Sequence, residues 1–226
     1  MQDNFVKETE ALKVNLIKMA SLVDEQIARA INSMEASNVE MLKGIKARDN
    51  EIDAYDNLIK TQCENILALF QPVATDLRFI MAALMINLEL ERCGDLAVNV
   101  AQRVKKSHAR RDLIDRFHLL EMGKIAQQMV KDSIDSFING NTELAVKVMG
   151  ADDAVDKMNK DSYKAVTEMM HADAAAIEDC THLIVMAKHI ERMADHATNI
   201  AEHLLFYVNA EFASHQKLKR KEENID

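Results

Sequence analysis

Glycine, proline and aromatic residues are scarce in this sequence. Its 226 residues include 5 glycines, 1 proline and no tryptophan, and aromatic residues make up only 4%. So few turn-forming residues exclude the frequent chain reversals that sheets and irregular loops require. Because 48% of the residues are hydrophobic and 29% are charged, long periodic segments can still bury one face. The composition therefore predicts an all-α protein built from long helices.

Cysteines are few and long apolar runs are missing. Cys63, Cys93 and Cys180 are odd in number and widely spaced, a pattern that fits neither a disulfide framework nor a zinc knuckle. We expect reduced thiols and a cytoplasmic protein. No segment approaches the roughly 18 apolar residues of a membrane span, and the first residues contain no apolar signal region. Any membrane association is expected to be peripheral and to occur through partners.

A basic surface is also missing. The formal net charge is −9, whereas nucleic-acid binding needs cations that neutralise phosphates and, for single strands, aromatic rings on which bases stack. We therefore expect no nucleic-acid partner. An acidic protein of this kind can instead hold cations.

The sequence contains an internal repeat. Residues 91–101, ERCGDLAVNVA, and residues 191–201, ERMADHATNIA, lie 100 positions apart and share six of eleven residues. Such self-similarity predicts a duplicated fold. We interpret the chain as two tandem three-helix bundles with six helices in all. The predicted domains are 1–108 and 109–212, followed by a flexible charged tail over 213–226.

Apolar periodicity and helix-capping residues predict the positions of the six helices. Asn38 is expected to cap the second helix, Thr75 the third, and Asn141 or Thr142 the fifth. Pro72, the only proline, is expected to end the second helix because it forces the preceding backbone out of the helical region. The predicted helices cover 5–34, 38–70, 75–106, 112–138, 142–170 and 174–209.

The third predicted helix differs from the others in its apolar pattern. Its stretch 79–88 is apolar at every position except Asn87, so that nearly the whole circumference is hydrophobic. A helix of this kind is normally surrounded by other helices. We therefore expect it to be the buried central helix of the first half.

Each half carries two pairs of acidic residues spaced four apart. On a helix this spacing places two carboxylates on one face, with Cβ atoms about 5–6 Å apart. If the second and third helices of a half pack antiparallel, its two pairs can lie at the same level. Four such carboxylates repel one another and must take up protons, basic partners or metal ions. The candidate metal ligands are Asp49, Asp53, Glu91, Asp95, Asp152, Asp156, Glu191 and Asp195.

Two interpretations of these acids remain open. Oxygen-only ligands favour hard or borderline cations, so Mg, Mn and Fe ions are candidates and Zn is another. Alternatively, the acids are solvated surface groups that form ion pairs with neighbours such as Arg92, Arg192 or Lys188. The occurrence of four pairs in symmetric positions favours metal binding.

Four histidines recur every seven residues on the last predicted helix: His182, His189, His196 and His203. Successive members lie about 10.5 Å apart along the axis, too far to share one ion. We interpret them as a solvated or interface face of the helix. A pH-sensitive contact is the alternative.

Catalytic signatures are not evident in the sequence. We find no glycine-rich phosphate loop, no Ser/His/Asp arrangement at a recognisable spacing and no Cys/His nucleophile signature. A ferritin-like di-iron site needs two Glu-x-x-His motifs, and only Glu168 with His171 fits that spacing. We therefore expect a protein that is not an enzyme.

The segments PVATDLR at 72–78, ERCGDLAVNVA at 91–101 and ERMADHATNIAE at 191–202 resemble the PhoU family of bacterial phosphate-uptake regulators. The likeness extends over nearly the whole chain, although the second half has no counterpart of 72–78. The resemblance implies two three-helix bundles that bind multinuclear metal clusters through E/D-x-x-x-D motifs. In this sequence those motifs coincide with the eight acids named above.

The same resemblance carries functional expectations. It implies a cytoplasmic homodimer that contacts the ATPase subunit of the phosphate ABC transporter and a membrane-bound sensor histidine kinase. Through these partners it would restrain phosphate uptake and keep phosphate-starvation genes off when phosphate is plentiful. The alternative is an accessory of another phosphate carrier, or a helical scaffold whose acidic pairs are only solvated surface.

Overall fold

A computed structural model describes residues 2–36, 43–107 and 110–210 of the chain. These residues form seven α-helices and no strands, and a single 3₁₀ turn, Ala174–Ala176, precedes the last helix. The prediction of an all-α protein is therefore confirmed. None of these helices is long and apolar enough to cross a membrane. The helices are α1 (Gln2–Ala36), α2 (Ile45–Phe70), α3 (Ala74–Lys106), α4 (Arg111–Arg116), α5 (Leu119–Asn139), α6 (Thr142–Ala172) and α7 (Ile177–Asn209).

Two predicted helix boundaries are confirmed. Helix α2 ends at Phe70, two residues before Pro72, and Gln71 adopts a left-handed conformation with φ 48°. Asn141 caps α6, because its side-chain oxygen accepts a hydrogen bond from the Leu144 backbone amide at 3.1 Å. Asn38, the predicted cap of the second helix, lies outside the described residues. The predicted start of that helix at 38 is wrong, because α2 begins at Ile45, after Gly44 in a left-handed conformation with φ 81°.

Two other boundary predictions are wrong. Thr75 does not cap α3, because the helix begins one residue earlier, at Ala74, and the Thr75 hydroxyl instead accepts from the Arg78 guanidinium at 3.1 Å. The last helix begins at Ile177 rather than at 174. The preceding 3₁₀ turn is stabilised by Asp173, whose carboxylate accepts from the Ala175 amide at 2.9 Å.

The helix predicted over 112–138 is interrupted, which is a further correction. It is broken between α4 and α5, where His118 has φ 55°. Phe117 turns into the core and is only 2% exposed. Its carbonyl accepts from the Ser162 hydroxyl on α6 at 2.8 Å. Burial of one aromatic ring therefore divides what the apolar periodicity presents as one helix.

The helices form two three-helix bundles that pack side by side. One bundle consists of α1, α2 and α3, and the other of α5, α6 and α7. Helix α3 packs against α7 more extensively than any other pair of helices, and α1 packs against α5. The buried apolar residues form one continuous core through both bundles. The predicted domain limits at 108 and 212 remain predictions, and 213–226 lies outside the described residues.

A pseudo-two-fold relation connects the two bundles. The Asp24 carboxylate on α1 accepts from Gln127 on α5 at 3.3 Å, and these positions are separated by the same offset of 103 as Asp49 and Asp152. Helices α3 and α7 run antiparallel, since contacts join the start of α3 to the end of α7 and the end of α3 to the start of α7. The repeat in the sequence is therefore also a repeat in space.

Helix α3 is not buried on all sides, contrary to the prediction. It packs against α1, α2 and α7, and these neighbours leave a fourth side open to solvent. That side is apolar. Its exposed residues are Met81 at 42%, Leu84 at 37%, Met85 at 37% and Leu88 at 43%.

A charged network lies between α3 and α7. The Glu89 carboxylate contacts the imidazole of His196 at 2.6 Å and that of His203 at 3.7 Å, and it accepts from the Asn199 amide at 3.2 Å. Burial alone would raise the pKa of Glu89, but the His196 imidazole, the more distant His203 imidazole and the Asn199 amide lower it to about 2. The interpretation of the histidines as an interface face is therefore confirmed for these two.

The other two histidines face the same helix. His182 contacts the Arg103 guanidinium of α3 at 3.3 Å. Burial lowers the pKa of His189, and the charges of Arg103 and Arg192 lower it further. His182 and His189, nearest the start of α7, therefore lie beside the Arg103 cation, whereas His196 and His203 lie beside the Glu89 carboxylate.

We expect Glu89→Gln to destabilise the protein by about 1–2 kcal/mol at neutral pH, after allowance for solvent screening. Because the folded pKa of Glu89 lies below its ordinary value of 4.5, this stabilisation is present above pH 4.5. It disappears as the pH falls through the range between 4.5 and about 2. Urea unfolding of both proteins at several pH values measures the difference. Exposed Glu64→Gln is the control, and a difference that persists unchanged to low pH would contradict the ionic role.

Gly123 permits the close approach of α5 to α1. A Cβ atom added there would lie 2.6 Å from Cδ1 of Ile31, whereas a Cβ atom at Gly150 on α6 would meet nothing within 4 Å. Both positions are helical, so valine changes helix propensity alike in each. We expect Gly123→Val to cost about 1–3 kcal/mol more than Gly150→Val because it overpacks the contact between the bundles. Equal free energies of unfolding for the two variants would contradict this contact.

Candidate metal centre

The first acidic cluster brings together α2 and α3. Asp49 and Asp53 lie on successive turns of α2, and Glu91 and Asp95 on successive turns of α3. Burial raises the pKa of Asp49, and the charges of Asp95 and Asp53 raise it further. Burial likewise raises the pKa of Glu91, with additional contributions from Asp95 and Asp53 that outweigh the opposing charge of Arg92. The structure therefore brings the four predicted ligands of this half into one electrostatic cluster, in which the charges of Asp53 and Asp95 act on both Asp49 and Glu91.

Helix α1 supports this cluster through a buried amide. The Gln26 side chain is fully buried, and its Nε2 atom donates to the Asp49 carboxylate at 3.0 Å and to the Gly94 carbonyl at 3.1 Å. This pair of bonds fixes Asp49 against the backbone of α3. Sequence reasoning missed Gln26, because a single buried glutamine on another helix has no signature in the repeat.

Asp56 is a fifth acid near the cluster that the sequence analysis also missed. It is buried, and its charge contributes to the raised pKa of Glu91. Its own oxygens are engaged, since one accepts from Asn87 at 2.7 Å and the other from Lys60 at 2.6 Å. Asp56 therefore adds negative potential to the cluster, while its carboxylate is already bound by protein groups. Its position three residues after Asp53 is the only signal in the sequence.

One oxygen of the first cluster has no hydrogen-bond partner. The Glu91 Oε2 atom is buried without a donor, and the Arg92 guanidinium approaches it only to 3.5 Å. A buried carboxylate oxygen is costly unless a donor or a cation satisfies it. This oxygen, together with the mutual repulsion of the four acids, fits a site for a cation.

The second cluster lies between α6 and α7 and is partly neutralised. Asp195 is exposed, but partial desolvation raises its pKa, and the charges of Glu191 and Asp156 raise it further. Glu191 is only 8% exposed, and both of its oxygens accept from Lys188 at 2.6 Å. Asp152 is half-buried one turn before Asp156 on α6. Lys188 thus forms a closer ion pair with Glu191 than Arg92 forms with Glu91 at 3.5 Å, as the ion-pair alternative anticipated for Glu191.

One pair of repeat positions accounts for the lysine at the second cluster. Lys188 lies 100 positions after Leu88, which is 43% exposed on α3. Each residue precedes the glutamate of its motif by three positions, so each can reach that glutamate across one helical turn. Only the lysine can neutralise it.

No complete coordination shell is present in the described parts of the chain. Among those residues, no three Asp, Glu, His or Cys side chains lie close enough together to hold one metal ion. All eight predicted ligands belong to the described residues. The charge and the hard oxygen donors of the first cluster fit a metal ion, but its side chains must converge to coordinate one.

The chain matches known proteins along nearly its whole length. The family model for the PhoU domain matches twice, over residues 16–104 and 119–204. A protein of Aquifex aeolicus is 37% identical over 217 residues, which cover 96% of this chain and 98% of that protein. A protein of Caulobacter vibrioides is 31% identical over 217 residues, covering 96% and 94%. Both are described as phosphate-specific transport system accessory protein PhoU homologues.

Solved structures show the same arrangement of helices. PhoU from Pseudomonas aeruginosa aligns with a TM-score of 0.83 and 28% identity, covering 92% of this chain and 100% of that one. The phosphate transport system regulatory protein PhoU from Streptococcus pneumoniae aligns with a TM-score of 0.85 and 26% identity, covering 93% and 99%. With both repeats matched by the domain model and the fold shared over more than nine tenths of its length, this chain belongs to the PhoU family.

Proposed function

We propose that this chain is a metal-binding accessory protein, without catalytic activity, that regulates phosphate transport. The observation that carries the proposal is the match of both halves to the PhoU domain at nearly full length. Relatives over that length are described as accessories of the phosphate-specific transport system. A solved relative is described as a regulatory protein of phosphate transport.

The proposed metal ligands are the eight acids of the two clusters. Asp49, Asp53, Glu91 and Asp95 would bind the metal of the first half, and their counterparts that of the second. A bound Fe, Mn, Mg or Zn ion, alone or in a multinuclear cluster, would supply positive charge between the helices of each pair. The protein contributes oxygen donors that burial and mutual repulsion have left in need of a cation. Binding would relieve that repulsion and join α2 to α3.

The proposed partners follow from the family. A homodimer in the cytoplasm would contact the ATPase subunit of a phosphate ABC transporter and a sensor histidine kinase. Through these contacts it would restrain uptake and signalling when phosphate is abundant. The exposed side of α3 and the acidic faces of both bundles give such an adaptor several surfaces.

The first testable consequence concerns the residue that distinguishes the two clusters. We expect Leu88→Lys to weaken metal binding by the first cluster about tenfold, because the new ammonium can neutralise Glu91 as Lys188 neutralises Glu191. Lys188→Leu is expected to strengthen binding by the second cluster by a similar factor. Titration with Mn²⁺, followed by calorimetry and metal analysis of the protein, measures both effects.

The control for these exchanges is Lys147→Leu, which removes an exposed lysine elsewhere on α6.

Glu91→Gln separates binding from stability. Because the pKa of Glu91 is raised in the folded protein, its charge opposes folding at neutral pH. We expect this variant to be at least as stable as the parent without metal and to lose its thermal response to Mn²⁺. A full Mn²⁺ response in Glu91→Gln would exclude Glu91 as a ligand.

The second consequence concerns the partner. Affinity purification of the chain from phosphate-replete cells is expected to recover a phosphate ABC transporter ATPase and a sensor histidine kinase. Deletion of the gene is expected to raise expression of phosphate-starvation genes in phosphate-rich medium. Recovery of a different phosphate carrier, with unchanged starvation signalling, would instead support the alternative accessory role.

A further inference from the structure

The two bundles meet along the interface of α3 with α7, which we call the seam. The segment that connects α3 to α5 closes one of its two ends. Helix α4 follows α3 and packs against α5 and α1. Its apolar residues Leu113 and Ile114, with Phe117 after it, are 2%, 0% and 2% exposed. Arg110, just before α4, donates to the Asp179 carboxylate of α7 at 2.8 Å. This short segment therefore covers α1 and α5 near the start of α7.

At the other end of the seam, related by the pseudo-two-fold, there is a cavity. Its volume is about 260 Å³, and its walls come from α1, α3, α5 and α7. The rings of Phe79 and Phe137 stack with centroids 6.0 Å apart, and Tyr207 meets Phe79 edge-on at 5.6 Å. Two of the lining residues, Ile17 and Ile138, are 41% and 45% exposed, so the cavity is open to the surface beside them. Thus apolar side chains fill one end of the seam, whereas the other end is an open apolar pocket.

The mouth of the cavity carries a positive charge. Among the described residues that line it, Lys13 is the only one with a formal charge, and its ammonium lies 5.5 Å from the centre of the Phe79 ring. Gly140, just after α5, also lines the cavity, and two carbonyls in the last turn of α5 are already satisfied, since Ser136 accepts from the Asn141 amide and Phe137 from the Gly140 amide. Within the described part of the chain, Lys13 forms an ion pair with the exposed Glu10, at 2.9 Å. An anionic group of a ligand can replace that weak surface pair.

The volume indicates the size of the occupant. A cavity of about 150 Å³ accommodates benzene, so the present cavity accommodates about ten non-hydrogen atoms in proportion. We propose that this cavity binds an amphipathic carboxylate of that size, such as a medium-chain fatty acid. The alkyl chain would lie among Phe79, Phe137 and Tyr207, and the carboxylate would meet Lys13. This inference is independent of the metal clusters and of the proposed role in phosphate transport.

The test compares octanoate with 1-octanol, which has the same chain length without the charge. Calorimetry on the full chain is expected to give octanoate binding with a Kd on the order of tens of micromolar. Lys13→Gln is expected to weaken octanoate binding about fivefold to tenfold and to leave octanol binding unchanged. Lys18→Gln, another exposed lysine on α1, should have no effect. Ala20→Leu, which fills the cavity wall, should weaken both ligands.

Three outcomes would overturn the proposal. One is the absence of octanoate binding at about 1 mM. Another is equal affinity of the parent and Lys13→Gln for octanoate, because the charge would then play no part. The third is a concentration-dependent dimer that Ile138→Lys dissociates and octanoate does not affect, which would assign the cavity mouth to a second copy of the chain. Because Lys13 is exposed, its variant tests the site even if Ala20→Leu does not fold.

Discussion

The antiparallel packing of α3 against α7 is the constraint on which the rest of the structure depends. It joins the two bundles into one core, and the same two helices carry the repeated acidic motifs. On α3, Glu89 faces α7 and is held by His196, His203 and Asn199, while Glu91 and Asp95 act on the acids of α2. One helix thus uses neighbouring carboxylates for two purposes. The carboxylate that faces α7 is satisfied by protein donors, whereas protein donors leave the negative charge of the carboxylates beside α2 uncompensated.

Duplication gave the two halves the same backbone, but substitutions have made their electrostatics different. Glu89 of the first half corresponds to His189 of the second, and Leu88 corresponds to Lys188. The first change places a carboxylate near the middle of α3, opposite His196, and an imidazole near the middle of α7, beside the charges of Arg103 and Arg192. The second change leaves Glu91 without a strong partner and gives Glu191 a lysine. Since neither change alters helix packing, electrostatic function can diverge while the fold is kept.

The seam shows the same divergence in packing. One end is filled by Leu113, Ile114 and Phe117 of the connector, and the other end retains an apolar cavity lined by aromatic rings. A three-helix bundle can bury only part of its apolar surface internally, so the remaining surface must be covered by the other bundle or by another apolar group. Interruption of the helix at Phe117 is the means by which the connector provides that cover. The periodic pattern could not reveal it, because a buried ring has the same apolar signal in a continuous helix.

The sequence by itself determined the helical class, the duplication and the positions of the acidic pairs, because composition, self-similarity and i, i+4 spacing are local properties of the chain. Apolar periodicity likewise placed most helix ends within a few residues. Tertiary structure decided which carboxylates are satisfied, since the amide of Gln26 and the ammonium of Lys188 are recognised only once the helices pack. It also decided that Met81 and Leu88 are exposed, because an apolar pattern does not state how many neighbours a helix has. Local spacing specifies candidate groups, and long-range packing fixes the burial and the partners that give those groups their chemistry.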